Sequence, residues 1–368
     1  MEAYLLSESL FQHIDGELPL LSVGGILLAG KRLKAQLTEV GWLPLQTQLD
    51  RIRMKWRSRW EQKASLEEYA LSAQAQPATA PAASATATGL PRGRIGKVEI
   101  SRLICGGNLI SGYAHSRDLI YVSKLLTAYF TEEKIMETWS LCEQQGVNTM
   151  IFTPSDQTAL AIYRKYRAQG GRMQCLAQLA PDQADPGMKA CIQEAVDAGV
   201  VGALLVGNYG DAWTREGRVD RIARFLELVK AQGLIAGVAG HELRTPMTVE
   251  KAGLEPDFYM KTLHSTNYWS KRRPDQMQEV IDNYAIDNYW CLDPDATIRF
   301  MQELERPWLA YKVLAAGAIP PKAGFRYAFE NGADFCVVGM FDFQVAEDAA
   351  IASQVVKATE HRVRAWMA

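Results

Sequence analysis

No C-x-x-C pair occurs in this chain, and its six cysteines (Cys105, Cys142, Cys175, Cys191, Cys291 and Cys336) stand far apart. That excludes the usual zinc and dithiol redox motifs. Most of the six lie within apolar runs, where cysteine behaves as a small hydrophobe, so reduced thiols are expected. A charge of one sign is also missing. Forty Lys and Arg against 42 Asp and Glu leave a net charge of −2. The whole chain therefore carries no electrostatic footprint for nucleic acid. Long hydrophobic runs are absent too. The longest, "LPLLSVGGILLAG" at 18–30, falls short of the roughly 20 residues a spanning helix needs. It reads as a buried or interfacial helix. No basic segment precedes it and no small-residue cleavage site follows, so a cytoplasmic protein is the expectation.

What the chain does have is 368 residues with 48% apolar and 22% charged side chains, enough for one large domain and a small one. Residues 73–89, "AQAQPATAPAASATATG", cannot build a core and read as a flexible linker. They divide a helical head, residues 1–72, from a body, residues 90–368. Within the head, Leu49, Ile52, Trp56 and Trp60 recur at helical spacing among arginines and lysines. This basic helix, 49–63, either packs in the head or contacts a membrane surface or a protein.

Eight short apolar runs punctuate the body: 100–108, 147–155, 173–181, 201–208, 234–241, 257–264, 308–318 and 334–343. Amphipathic segments lie between most of them, several closing on glycine, a helix C-cap signal. Near-continuous apolar strands alternating with helices imply a parallel sheet covered on its outside. Eight of them imply a closed (β/α)₈ TIM barrel of the α/β class.

In such a barrel the chemistry lies at the C-terminal strand ends. Taken in order, those ends offer Asn108; Thr153, Ser155 and Asp156; Gln178; Asn208 and Asp211; His241 and Glu242; Lys261 and His264; Lys312 and Gly317; and Gly339 and Asp342. Lys261 in "FYMKTLH" and Lys312 in "LAYKVLAAG" sit among hydrophobes. Burial favours a neutral lysine, which serves as a base or Schiff-base nucleophile. His241 and His264 are two of only five histidines and both fall at run ends. Their spacing matches no metal motif, so proton transfer is the expected use. Lys261, Lys312, His241 and His264 are the expected catalytic set, with Lys261 pointing into the barrel mouth. Gly317 and Gly339 are expected to admit a phosphate, and Asn108, Gln178 and Asn208 to bind substrate. After "DFYMKTLH" the chain makes an excursion of about 30 residues, far beyond the usual βα loop. It holds a short predicted helix at 274–284 and two Asn-Tyr-Trp copies. Asn267, Tyr268 and Trp269 are expected to form part of a lid that touches substrate.

The opening of the body, "LPRGRIGKVEISRLICGGN", followed by "TEEKIMETWSLCEQQGVNTM", resembles the first hairpin, strand and helix of aldo/keto reductases. The body as a whole resembles a bacterial branch of such barrels with a "DFYMKT" strand and an "AAGAI…GADF…VGMFDFQV" ending. The family resemblance implies a TIM barrel and NADPH-dependent carbonyl reduction by an Asp, Tyr, Lys and His tetrad. The tetrad is not at the matching positions. Ile151 or Phe152 stands in the aspartate region, and Tyr163 lies in a helical "IYRKYR". Gln178 is nearest to the lysine position, and Gly207 and Asn208 stand where the histidine belongs. The nucleotide motif is not retained either, which leaves the cofactor unknown and NADP open.

Three readings follow. The first is a non-redox barrel enzyme, of lyase or isomerase type, acting on a small carbonyl or sugar-like substrate. The second is an NADPH-dependent oxidoreductase with a rebuilt site. The third is a ligand-binding barrel without chemistry.

Overall fold

The chain divides into two units, Met1–Ser84 and Ala85–Ala368. The computed structural model describes residues 89–368 except 114, 116–118, 120, 182–186, 272–290 and 360. The head, the linker up to residue 88, the basic helix 49–63, the helix at 274–284 and the second Asn-Tyr-Trp lie outside the described residues.

Two short strands come first, β1 (Arg92–Ile95) and β2 (Val98–Ser101). They pair antiparallel, with Ile95 opposite Val98. The two-residue turn between them needs a left-handed first position, which Gly96 supplies at φ 55°. Eight parallel strands then close a barrel. They are β3 (Leu103–Cys105), β4 (Thr149–Phe152), β5 (Gln174–Leu179), β6 (Gly202–Leu205), β7 (Ile235–Gly240), β8 (Phe258–Thr262), β9 (Trp308–Tyr311) and β10 (Phe335–Val338). Each pairs with the next, and β10 returns to β3.

The eight apolar runs thus become the eight barrel strands, with trimmed ends. The first run splits, since Ile100 and Ser101 belong to the hairpin. The seventh ends at Tyr311, so Lys312 and Gly317 lie beyond the strand rather than within it. The reason is conformational. Lys312, Ala315, Ala316 and Gly317 all have positive φ, which a strand cannot accommodate.

Alternation along each strand divides the buried residues into two layers. Ile104, Ile151, Leu176, Leu204, Ala239, Met260, Leu309 and Val337 fill the barrel interior, together with Ile95, Val98 and Ile100 of the hairpin, which plugs its base. The other face packs on ten helices among the described residues. These are α1 (Val122–Tyr129), α2 (Glu132–Gln144), α3 (Gln157–Ala168), α4 (Lys189–Asp197), α5 (Gly207–Arg215), α6 (Val219–Ala231), α7 (Arg244–Lys251), α8 (Pro294–Met301), α9 (Pro321–Glu330) and α10 (Asp342–Ala358). Side chains cap three of them at orphan N–H groups: Thr131 on α2, Asp156 on α3 and Asp293 on α8. No helix among the described residues is long and apolar enough to cross a membrane.

Candidate functional site

The C-terminal strand ends surround a cavity of about 710 Å³. Of the residues expected to bind substrate, Asn108, Gln178, Asn208, Gly317 and Gly339 line it, and so do His241 and Lys312. Its centre is built by β7, α5 and β9.

His241 follows β7 and is buried. Its Nδ1 lies 2.7 Å from Oδ2 of Asp211, a buried residue of α5. The same carboxylate accepts the backbone N–H of His241 at 3.0 Å and of Glu242 at 3.1 Å, and the Thr245 hydroxyl at 2.8 Å. This arrangement depends on Gly210. A Cβ there would stand 2.1 Å from the Ala239 carbonyl oxygen, so glycine lets α5 lie close enough to β7 for Asp211 to reach His241.

Burial alone would raise the Asp211 carboxyl, but the bonds from His241 and Thr245 bring it below the ordinary range. His241 moves the same way for other reasons. Burial, and next the charge of Lys312, push its pKa down to about 4 against the opposing pull of Asp211. The ring is therefore neutral at neutral pH. With Nδ1–H given to an ionised carboxylate, its lone pair stands on Nε2.

Tyr311 ends β9 with its ring centroid 5.5 Å from that of His241. The ring is partly exposed, but its hydroxyl is buried with no hydrogen-bond partner among the described residues. Burial raises its pKa well above the ordinary value, so it stays a donor. A Cβ on Gly207 would come 2.8 Å from His241 Cε1 and 3.0 Å from Tyr311 Oη. Both groups thus border the space over Gly207. Lys312 Nζ is 5.8 Å from the Tyr311 ring centroid. Its backbone is left-handed at φ 61°, a strained state for a residue other than glycine.

The expected catalytic four do not share this cavity. Lys261 is buried, yet the barrel mouth is lined by its neighbour Met260. Period-2 alternation explains the difference. Phe258 and Met260 face the interior, so Lys261 faces the layer between β8 and the helices. Its Nζ donates to Thr262 Oγ1 at 2.7 Å and to the Thr262 carbonyl at 3.1 Å. It lines a second, smaller cavity instead, again with His241. His264 borders neither cavity. Its Nε2 accepts the backbone N–H of Cys291 at 2.5 Å and its Nδ1 is 2.9 Å from the Ser265 carbonyl. It ties the start of the excursion to its end. The lid residues also stay out of the cavity lining. Asn267 and Trp269 are exposed, Trp269 at 89%, and Tyr268 packs edge-on against His264.

Sequence reasoning gave Tyr311 no role, because it reads as one more aromatic in an apolar run. It also passed over His115, whose Nε2 meets Asn108 Nδ2 on the cavity wall, since His115 lies far from any strand end.

The lining offers few cations to the phosphates of an NADP dinucleotide. Among the described residues Lys312 is the one lysine or arginine bordering the cavity, against Asp156. Near Gly339, α10 begins with Asp342, which binds Tyr129 and Lys134. Burial alone would raise its carboxyl, but those bonds hold it below the ordinary range. Gly339 has another use: a Cβ would lie 2.8 Å from Leu109 Cγ. Among the described residues no group of three His, Cys, Asp or Glu could hold a metal ion.

No family model matches the chain, and no curated protein does. Solved structures resemble it in fold. One is a Pseudomonas aeruginosa protein described as an aldo-keto reductase, 14% identical, covering 73% of this chain and 98% of its own, with a TM-score of 0.49. Another is phospho-2-dehydro-3-deoxyheptonate aldolase of Thermotoga maritima, at 10% identity, 74% and 75% coverage and a TM-score of 0.45. A third is the N-acetylneuraminic acid synthetase of Leptospira borgpetersenii, at 11%, 74% and 90%, with a TM-score of 0.39.

Proposed function

We propose that the chain is a barrel enzyme that moves protons on a small carbonyl or sugar-like substrate, in an isomerase or lyase type of reaction. The observation that carries this reading is the buried Asp211–His241 pair beside the unpartnered Tyr311 hydroxyl. His241 Nε2 takes a proton from the carbon next to the carbonyl. Tyr311 donates to the carbonyl oxygen as negative charge develops there. Asn108, Gln178 and Asn208 offer hydrogen bonds to substrate hydroxyls.

A histidine with a pKa of about 4 is a weak base at rest. Part of that weakness comes from the charge of Lys312. An enolate forming beside Lys312 offsets that charge and strengthens His241 when the proton is transferred.

The experiment follows α-proton exchange of short hydroxy-aldehydes and hydroxy-ketones in deuterated water by NMR. The wild type is expected to catalyse exchange of at least one. His241→Asn is expected to lose about 10²–10⁴-fold, the range for a general base. A folded wild type that exchanges none of them, or an unimpaired His241→Asn, overturns the reading.

One observation favours hydride transfer from NADPH as a second reading. Asp211, Tyr311, Lys312 and His241 assemble the reductase residue types from other positions. The cation-poor lining weighs against it. A cytoplasmic location and the layout of head, linker and barrel belong to the same proposal, with helix 49–63 as a contact for a membrane or protein. Limited proteolysis that fails to cut within 73–89 would count against the linker.

A further inference from the structure

The smaller cavity, about 160 Å³, shares His241 with the large one. Glu242, Arg244, Lys261, Asp293 and Thr297 complete most of its wall, between β8 and the starts of α7 and α8. Two features there have no use in the acid–base reading. The first is Lys261, 2% exposed, which donates to the carbonyl and hydroxyl of Thr262. No carboxylate forms an ion pair with it among the described residues. A buried ammonium without an anion is disfavoured. A neutral amine suits the site: two N–H groups go to Thr262 and a lone pair is left over. The second is Glu242, whose Oε1 accepts from Arg215 while Oε2 is buried with no partner among the described residues. The chamber thus pairs a nucleophile with an unmet acceptor.

We infer that this chamber is an imine-forming site, in which Lys261 Nζ condenses with a short-chain carbonyl compound that carries a hydroxyl for Glu242. The lone pair of Nζ makes the C–N bond as the C=O π pair moves to oxygen. A proton passes from nitrogen to that oxygen through the Glu242 carboxylate, giving a carbinolamine. Glu242 then takes a proton from solvent and gives it to the hydroxyl, which leaves as water, while the C=N bond forms with nitrogen keeping its last proton as an iminium. No oxidant or reductant takes part. Burial also lowers the Lys261 ammonium against the opposing pull of Cys291, Asp211 and Glu242, which fits an amine that is neutral at rest and a carboxylate-flanked cation after condensation.

The site goes beyond the acid–base reading and is tested apart from it. The full chain is treated with glycolaldehyde and cyanoborohydride at neutral pH, which fixes an imine as a secondary amine. Peptide mass spectrometry then compares Lys261 with the exposed Lys97 and Lys322. Lys261 is expected to label at least about tenfold faster, because an exposed lysine is almost wholly protonated at this pH. Glucose, too large for the chamber, is expected to leave Lys261 unlabelled. Glu242→Gln is expected to slow Lys261 labelling about tenfold, as loss of a proton relay does. Labelling of Lys261 no faster than Lys97 and Lys322 overturns the inference. Labelling without α-proton exchange upholds this site while the acid–base reading fails. Exchange without labelling overturns this site alone.

Discussion

Gly207 is the residue where a single added methyl reaches both His241 and Tyr311. Alanine there would press on His241 Cε1 and Tyr311 Oη at 2.8 and 3.0 Å. Gly207→Ala is expected to reduce α-proton exchange about tenfold or more, while overpacking lowers stability by about 1–3 kcal/mol. Asp211 carries the heavier structural role. Asparagine offers one acceptor where the carboxylate serves the His241 ring, two backbone N–H groups and Thr245. Asp211→Asn is expected to lower unfolding free energy by about 3 kcal/mol, read from the denaturant midpoint. It also removes the anion that pulls the His241 pKa up. The pH dependence has a definite sign. His241 is neutral in the fold down to about 4 but takes a proton near 6.5 when unfolded. Between those values the unfolded state binds more protons, so stability falls as pH drops through that window. Activity, which needs the neutral ring, is expected to persist through 6.5 and fall as pH approaches about 4.

The close approach of α5 to β7 positions the pair. Gly210→Ala sets a Cβ against the Ala239 carbonyl at 2.1 Å, which only a shift of α5 relieves. Thermal melting should show a destabilisation of about 3 kcal/mol or more, and exchange should drop with it as Asp211 moves away from His241. The strands show how far sequence carries. Eight apolar runs and the intervening helices gave the barrel, because parallel strands buried on both faces leave such runs. That same property hid which way Lys261 points. In "FYMKT" both parities carry bulky side chains with a polar group, Phe258, Met260 and Thr262 on one and Tyr259 and Lys261 on the other, so alternation does not reveal which residues face inward, and only packing assigns Met260 to the mouth. His241 was legible as a rare residue at a strand end. Tyr311 was not, since an unpaired hydroxyl is a property of its surroundings. Asp211 appeared among the strand-end residues, but its partner depends on how α5 sits, which spacing does not report.

At the scale of the barrel, base and mouth have different tasks. The base is closed by the hairpin and by a buried charge cluster. Asp334 accepts from Arg364 at a buried contact and from the backbone N–H of Trp308 and Met367 at 2.9 Å. Asp334→Ala leaves Arg364 buried without its anion and is expected to lower stability by about 3–5 kcal/mol, seen as a fall in Tm. The mouth, with Lys312 as its one bordering lysine or arginine among the described residues, is expected not to hold NADPH. Titration with micromolar NADPH should leave tryptophan fluorescence unquenched apart from inner-filter absorption. Saturable quenching would restore the hydride-transfer reading.

The central claim is that His241 is a neutral base oriented by Asp211, and it is tested most directly by ¹⁵N NMR of the His241 ring across pH. The account predicts the Nδ1–H tautomer, unprotonated as pH falls through 6.5 and gaining its second proton only near about 4. An Nε2–H tautomer, or an ordinary titration near 6.5, would contradict it.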